Sequence, residues 1–284
     1  MDALGLLTVE MTKRIVTNVA QLNAPDKCQP NSHIICLDAV SDDFQKKEIR
    51  IVSDSVAEEI AKRFLKDVWN DMVFKENNAN SGMIFETFMR KMLTEPKFCL
   101  DAKLNIPDKI KRKGVVPFQL VLGGCTVSRL VSDLRSSVRN GPDNVLYYST
   151  NQYAPLVDMV YKRGMFYYAI QATIVKEHKA NVELIQQLEK DLQLDTDNKM
   201  LLLIYAVPDA RFDGFKLKPV DPLEFEKYIG REKSLPKTVV LHAKIENPNI
   251  DREQPKEDKR KTQDINHKKL NEEYRKLRKK CVRK

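Results

Sequence analysis

The chain has 284 residues, of which 42% are hydrophobic and 31% are charged, with 9 glycines and 13 prolines. This length is sufficient to bury an apolar core in one large domain or two modest ones, and the composition excludes a collagen, a wholly disordered chain or a disulfide scaffold. The five cysteines form no CxxC pair, so a zinc site has no support, and we expect a reducing compartment, nucleus or cytoplasm.

No segment of the sequence is typical of a membrane or secreted protein. The longest apolar run, residues 200–207, is far shorter than the roughly 20 residues of a membrane-spanning helix. A short apolar patch at the N-terminus is followed at once by Glu10 and Lys13, which is unlike a signal peptide. We therefore expect no membrane partner.

Positive charge is concentrated at the C-terminal end. Residues 251–284 carry 14 lysines and arginines against 7 acidic residues, a net charge of +7, whereas residues 1–250 carry 35 against 33. Short basic runs of this kind are typical of nuclear-import signals and of segments that bind phosphate backbones, and a solvated tail without a partner is the alternative. The residues that we predict to contact nucleic acid are Lys259, Arg260, Lys261, Arg275, Lys276, Arg278, Lys279 and Lys280.

The predicted elements begin after residues 1–50, an extension in which we expect one short strand. Over residues 53–75 the apolar side chains recur at every fourth position, which predicts an amphipathic helix with the capping box Ser55-x-x-Glu58. Residues 84–92 predict a second helix that ends before Pro96.

Strand-like patterns follow in the middle of the chain. The predicted elements are strands at residues 115–122, 145–149, 156–161 and 166–175, a helix at 182–192, and strands at 200–207 and 238–242. Lys162-Arg163-Gly164 indicates a hairpin between two of these strands. The order indicates an α/β fold, although several α/β folds share it, and beyond Asn247 we expect a basic tail that is helical from Asn266.

Three polar residues interrupt the apolar strand patterns. Asp158 lies in one predicted strand, and Gln171 and Thr173 lie two positions apart on the next, where they share a face. A buried polar group without a partner costs about 1–3 kcal/mol, so we expect a shared polar cleft. Carboxylate and amide oxygens suit a hard cation such as Mg²⁺. The sequence has no GxxxxGK[ST], GxGxxG, HExxH or GxSxG motif, so no nucleotide site is expected.

The surrounding motifs resemble those of a known family. They are Ile84-Phe-Glu86, Gly123-Gly-Cys-Thr126, Pro155-Leu-Val-Asp158, Ala169-Ile-Gln171-Ala-Thr173, His178-Lys-Ala-Asn181 and Tyr205-Ala-Val-Pro208. In order and spacing, over residues 51–222, they resemble the C-terminal region of the trypanosome retrotransposon hot spot proteins, which is related to the C-terminal domains of Crinkler effectors. The resemblance implies a fold like the restriction-endonuclease, PD-(D/E)xK, superfamily, a nuclear setting and an association with nucleic acid or transcription.

The resemblance also implies roles for particular residues. Glu86 matches the helix acid of that superfamily, Asp158 the first-strand metal ligand, and Gln171 the position of the second acid. Thr173 stands where the family motif has lysine. In active members the acids hold Mg²⁺, which polarises the phosphate and activates water. A Gln-x-Thr motif has one carboxylate fewer and no ammonium group, which puts metal binding and catalysis in doubt.

Two further residues are candidates for the missing lysine. His178 matches a histidine that the family shows before the following helix, and either Lys176 or His178 could reach back towards the site. Longer family members carry an NTPase domain with a P-loop upstream, and this sequence has no P-loop motif.

We predict three regions: an extension at 1–50, a restriction-endonuclease-like α/β domain at 51–246, with a mixed central sheet flanked by helices, and a basic tail at 247–284. The favoured function is a nuclear nucleic-acid-binding module with a degenerate site. The alternatives are an active Mg²⁺-dependent nuclease that cuts DNA or RNA and a protein-interaction element of a nuclear assembly.

Overall fold

A computed structural model describes residues 8–17, 35–39, 47–51, 53–74, 79–96, 98–104, 118–149, 156–194, 199–229 and 238–248. The predicted nucleic-acid contacts between Lys259 and Lys280, and the predicted helix from Asn266, lie outside these ranges.

Eight helices and twelve strands lie in the described ranges. The helices are α1 (Val9–Thr17), α2 (Asp54–Arg63), α3 (Leu65–Phe74), α4 (Ala79–Thr94), α5 (Leu134–Asn140), α6 (Val182–Asp191), α7 (Asp209–Phe212) and α8 (Pro222–Ile229). The strands are β1 (Ile35–Ala39), β2 (Lys47–Ile51), β3 (Cys99–Leu104), β4 (Phe118–Val121), β5 (Val127–Leu130), β6 (Val145–Tyr148), β7 (Met159–Arg163), β8 (Phe166–Ala172), β9 (Glu177–Ala180), β10 (Met200–Pro208), β11 (Lys216–Pro219) and β12 (Thr238–Ile245). Among these helices, none is both long enough and apolar enough to cross a membrane.

An eight-stranded mixed sheet organises the fold, in the order β4-β3-β12-β10-β8-β7-β6-β5. Strands β6, β7 and β8 are antiparallel neighbours, whereas β8, β10 and β12 are parallel. Parallel neighbours need a crossover, which α6 provides between β8 and β10. Two smaller sheets, β1-β2 and β9-β11, lie apart from this one. The fold is therefore α/β, with a large mixed sheet flanked by helices, as the sequence predicted in outline.

The two faces of the sheet bury separate apolar cores because strand side chains alternate. On β8, Tyr168 and Ile170 pack with α1 to α4, while Tyr167 and Ala169 pack with α5 to α8. The central strand β10 is buried along nearly its whole length, as expected for a parallel strand covered on both faces.

Helix α1 joins the first of these cores, although it falls in the expected extension. Ile15 and Val16 are buried, and the side chain of Asn80 links α1 to β2. The Asn80 amide nitrogen donates to the Ile15 carbonyl at 3.1 Å, and its oxygen accepts from the Ile51 N–H at 3.0 Å. A buried amide therefore holds two segments distant in sequence against α4.

Two details of the predicted first helix are wrong. The helix begins at Ser53, whose hydroxyl accepts from the Val56 N–H and whose backbone is extended, so Ser55 lies inside the first turn instead of capping it. A break at Phe64 also divides the predicted helix into α2 and α3. A spacing of four drifts about 40° per step against 3.6 residues per turn, so a single straight helix cannot keep five such residues on one face.

The remaining predicted elements are present, but two bounds are wrong: β7 begins at Met159 and β8 ends at Ala172, so Asp158 and Thr173 lie just outside the strands in which they were predicted. The second helix corresponds to α4, the predicted strands to β4, β6, β7, β8, β10 and β12, and the later helix to α6. The predicted hairpin joins β7 to β8 at Gly164, whose φ of 57° suits glycine. The elements α1, β3, α5, β5, β9, β11, α7 and α8 were not predicted, because each carries too few residues for a clear period, and the described part of residues 1–51 holds two strands where one was expected.

Replacing Asn80 with alanine tests the link between α1, β2 and α4. We expect Asn80→Ala to lower the free energy of unfolding by about 1–3 kcal/mol for each backbone group left unpaired, measured by urea denaturation. Asn140→Ala, at an exposed residue of α5, should change it by less than about 0.5 kcal/mol. Equal effects of the two substitutions would contradict the proposed link.

Candidate functional site

The site lies where β7 begins and β8 ends, beside α4. Asp158 immediately precedes β7, and its backbone N–H donates to the Ile170 carbonyl at 2.9 Å, which continues the ladder by one step. Because Met159 pairs with Ile170, that step brings Asp158 opposite Gln171 at the end of β8. The hairpin register therefore places these two predicted residues side by side.

The carboxylate of Asp158 is held by three hydrogen bonds. The amide nitrogen of Gln171 lies 2.9 Å and 2.8 Å from the two carboxylate oxygens, and the Ala172 N–H donates to Oδ2 at 2.7 Å. Each oxygen thus accepts at least one hydrogen bond. Gln171 presents its NH₂ group, not its carbonyl oxygen, to the acid, so the pair behaves as acceptor and donor and not as two metal ligands.

Glu86 on α4 is the second acidic group of the site. Its carboxylate is partly buried, and the guanidinium of Arg90, one turn further along α4, lies 3.9 Å away. Glu86 is also close enough to Asp158 for the charge of Asp158 to act on it. The structure therefore brings together three of the predicted residues: Glu86, Asp158 and Gln171.

Arg90 is the residue of this site that the sequence analysis missed. Its side chain is only 7% exposed, and it lies 3.4 Å from Asp54 at the start of α2 and 2.8 Å from the Thr87 hydroxyl. Its guanidinium also lies 4.2 Å from the centre of the Tyr148 ring, within cation–π range. The i, i+4 spacing of Glu86 and Arg90 was the signal available in the sequence, because residues four apart on a helix are neighbours.

Burial changes the proton affinity of both acids. Desolvation, and then the negative charge of Asp158, raise the pKa of Glu86 to about 8, although Arg90 acts in the opposite direction and Asp54 adds to the rise. Desolvation also raises the pKa of Asp158 to about 7, against the hydrogen bonds from Ala172 and Gln171 and the charge of Arg90. At least one of the two carboxyl groups therefore holds its proton near neutral pH.

Thr173, Lys176 and His178 make no hydrogen bond or ion pair with Asp158 or Glu86. Thr173 is buried, and its hydroxyl accepts from the Val175 N–H at 3.4 Å. Lys176 is exposed.

His178 lies on β9 with its ring 5.1 Å from that of Tyr205. Its Nδ1 lies 2.9 Å from the Lys179 carbonyl, and burial lowers the pKa of the imidazole.

This donor set does not fit a magnesium ion as it stands. Mg²⁺ needs oxygen ligands in near-octahedral order, whereas Asp158 already accepts three hydrogen bonds and Gln171 offers nitrogen. Arg90 supplies positive charge to the acids at the same place. Within the described ranges, no group of three or more His, Cys, Asp or Glu side chains is arranged to hold a metal ion.

Comparisons with known proteins add no relative to this description. No family model matches the chain, and searches of curated proteins and of solved structures found no significant match.

The pH dependence of stability tests the burial of Glu86 and Asp158. Both acids have a higher pKa in the folded protein than in the unfolded chain, so between about pH 4.5 and pH 8 the unfolded chain binds fewer protons. The free energy of unfolding should therefore decrease as pH rises through this interval. Glu86→Gln should flatten this decrease in urea titrations from pH 5 to pH 8.5, and curves parallel to the wild type would contradict the burial of that acid.

The contact of Gln171 with Asp158 gives a separate test. Gln171→Ala removes the donor to both carboxylate oxygens, and we expect the free energy of unfolding at pH 8 to fall by about 1–3 kcal/mol. Gln119→Ala, an exposed strand residue of the same type on β4, serves as the control. A loss in Gln171→Ala no larger than in the control would show that the amide does not support the acid.

Proposed function

We propose that this chain is a nucleic-acid-binding module with a restriction-endonuclease-like, PD-(D/E)xK, fold and a site that no longer catalyses cleavage, and that it acts in the nucleus. A mixed sheet flanked by helices agrees with the architecture that the family resemblance implies. Glu86 is the helix acid, Asp158 is the acid before a strand, and Gln171 lies two positions before Thr173. These three residues lie together where β7 begins and β8 ends.

The observation that carries the proposal is the hydrogen bonding of Asp158. In the metal-dependent reaction that the family implies, this carboxylate would bind the cation and leave lone pairs for it. Here Gln171 and Ala172 donate to both of its oxygens. These N–H donors take the place that a metal cation would have beside the carboxylate, which favours a structural role for Asp158.

Arg90 lies between Asp54 and Glu86 and is occupied by these acidic neighbours. A nuclease with a PD-(D/E)xK motif also needs a cation that orients water and stabilises developing negative charge. Thr173 has no ammonium group, and the guanidinium of Arg90 is engaged by Asp54, Thr87 and the Tyr148 ring. Among the residues that the structure describes, the site therefore has no free cationic group that could assist phosphodiester cleavage.

Positive charge elsewhere supports association with nucleic acid. The net charge of +7 on residues 251–284 suits the phosphate backbone, whose neutralisation releases counterions. The densest basic runs in this segment are residues 259–261 and 275–280. Binding of this type depends strongly on salt and only weakly on base sequence.

One experiment separates binding from cleavage. The full chain is incubated with labelled DNA and RNA in Mg²⁺ or Mn²⁺, and binding and cleavage are measured in the same samples from 50 to 200 mM salt. We expect binding that weakens steeply with salt, no cleavage, and no difference between the wild type and Asp158→Ala in cleavage. Deletion of residues 251–284 should reduce the salt slope.

Two other results would select the alternative functions. Metal-dependent cleavage that is lost in Asp158→Ala would show an active nuclease and overturn the proposal. A chain that neither binds nor cleaves would instead support a protein-interaction element of a nuclear assembly.

A further inference from the structure

The small parallel sheet β9-β11 carries a row of lysines on one face. Lys216 is aligned with Glu177, and Lys218 with Lys179, so these four side chains lie on the same side of the two strands. All four residues are exposed, whereas Leu217 between them is half-buried against the second core. With about 6.5 Å between alternate residues and about 4.8 Å between strands, the four positions form a compact cluster.

Most of this positive charge has no acidic partner. Lys218 forms an ion pair with Glu177 and, by hydrogen bond and by charge, lowers the pKa of that acid; the charge of Lys216, which is aligned with Glu177, lowers it further. Lys179 and Lys216 form no ion pair with any residue that the structure describes. Lys176, which is exposed next to β9, is in the same situation. We call Lys179, Lys216 and Lys218, which share one side of the two strands, the lysine face.

The arrangement has an electrostatic cost in the absence of a ligand. Lys179 and Lys218 are aligned on neighbouring parallel strands, so their like charges repel, and the ion pair of Lys218 with Glu177 offsets only part of this repulsion. An anion bound between them would offset this repulsion. The closely spaced charges suit a ligand that presents negative groups at short, regular intervals along one direction.

The lysine face also lies close to the candidate site along the chain. Strand β9 begins at Glu177, six residues after Gln171, and the Lys216 N–H donates to the Lys176 carbonyl at 2.9 Å. The segment from Thr173 to Lys176 therefore connects the edge that holds Asp158 directly to the lysine face.

We propose that the lysine face binds the phosphate backbone of a nucleic acid strand, an inference that rests on the proposed function and assigns it a surface on the folded domain. Two consecutive phosphates of one strand would lie along β9 and β11 and contact Lys179 and Lys216. Glu177 limits the affinity because it occupies Lys218.

The test compares salt slopes of binding for matched charge changes in the full chain. Lys179→Gln with Lys216→Gln should reduce the slope by about 1.8 on a DNA duplex, since each phosphate contact contributes about 0.9. Lys62→Gln with Lys91→Gln removes the same charge from exposed residues of α2 and α4, which pack on the other face of the main sheet, and should change the slope much less.

A second variant should act in the opposite direction. Glu177→Gln frees Lys218, so we expect a steeper salt slope and tighter binding of the same 20-base-pair duplex at 100 mM salt. Glu95→Gln, an exposed acid at the end of α4, is the control for net charge. Thermal unfolding of each variant checks that its fold is unchanged.

Each outcome separates the inference from the proposed function. The lysine face would be overturned, and the nucleic-acid module left intact, by two results together. The two double lysine substitutions would weaken wild-type binding equally, and Glu177→Gln and Glu95→Gln would strengthen it equally. Absence of duplex, single-strand and RNA binding by the wild type would overturn the proposed function itself. Displacement of the duplex by poly-glutamate at equal charge concentration would show a general polyanion surface and contradict recognition of phosphate.

Discussion

Burying two carboxylates against an apolar sheet costs desolvation free energy that neighbouring groups must compensate. This constraint determines the structure of the candidate site, where β7 begins and β8 ends. Asp158 receives hydrogen bonds from Gln171 and Ala172, and Glu86 lies beside Arg90. Even with these partners, desolvation raises the pKa of both acids. Internal donors thus occupy positions where a metal-dependent enzyme would keep ligands available, which supports our proposal that Asp158 has a structural role.

The sheet order explains how the site and the lysine face arise from one stretch of chain. The antiparallel hairpin β7-β8 aligns Asp158 with Gln171, and the crossover through α6 carries the chain to the parallel neighbour β10. Before that crossover, β9 leaves the main sheet and pairs with β11, which exposes alternate lysines. The lysines that we propose to bind phosphate therefore lie in a different sheet from the acids of the candidate site.

The strand pattern selected Asp158 and Gln171, because a polar residue within an apolar strand needs a partner, whereas Glu86 was selected by the family resemblance alone. Asp158, Gln171 and Glu86 do come together. The same reasoning could not place Lys176 or His178, since a few residues of irregular backbone after β8 decide which way a side chain points. Arg90 was missed for a related reason: an arginine on a helix is ordinarily solvated, and only the packing of α2 and β6 against α4 buries it.

Periodicity and turn residues by themselves determined the long elements, the hairpin at Gly164 and the α/β class, because these depend on local backbone preferences and on which positions are apolar. Only the tertiary structure decided the strand order, the break at Phe64 and the inclusion of α1 in the core. It also decided that Gln171 meets Asp158 with its nitrogen. These outcomes depend on contacts between segments far apart in sequence, whose energies no local pattern records.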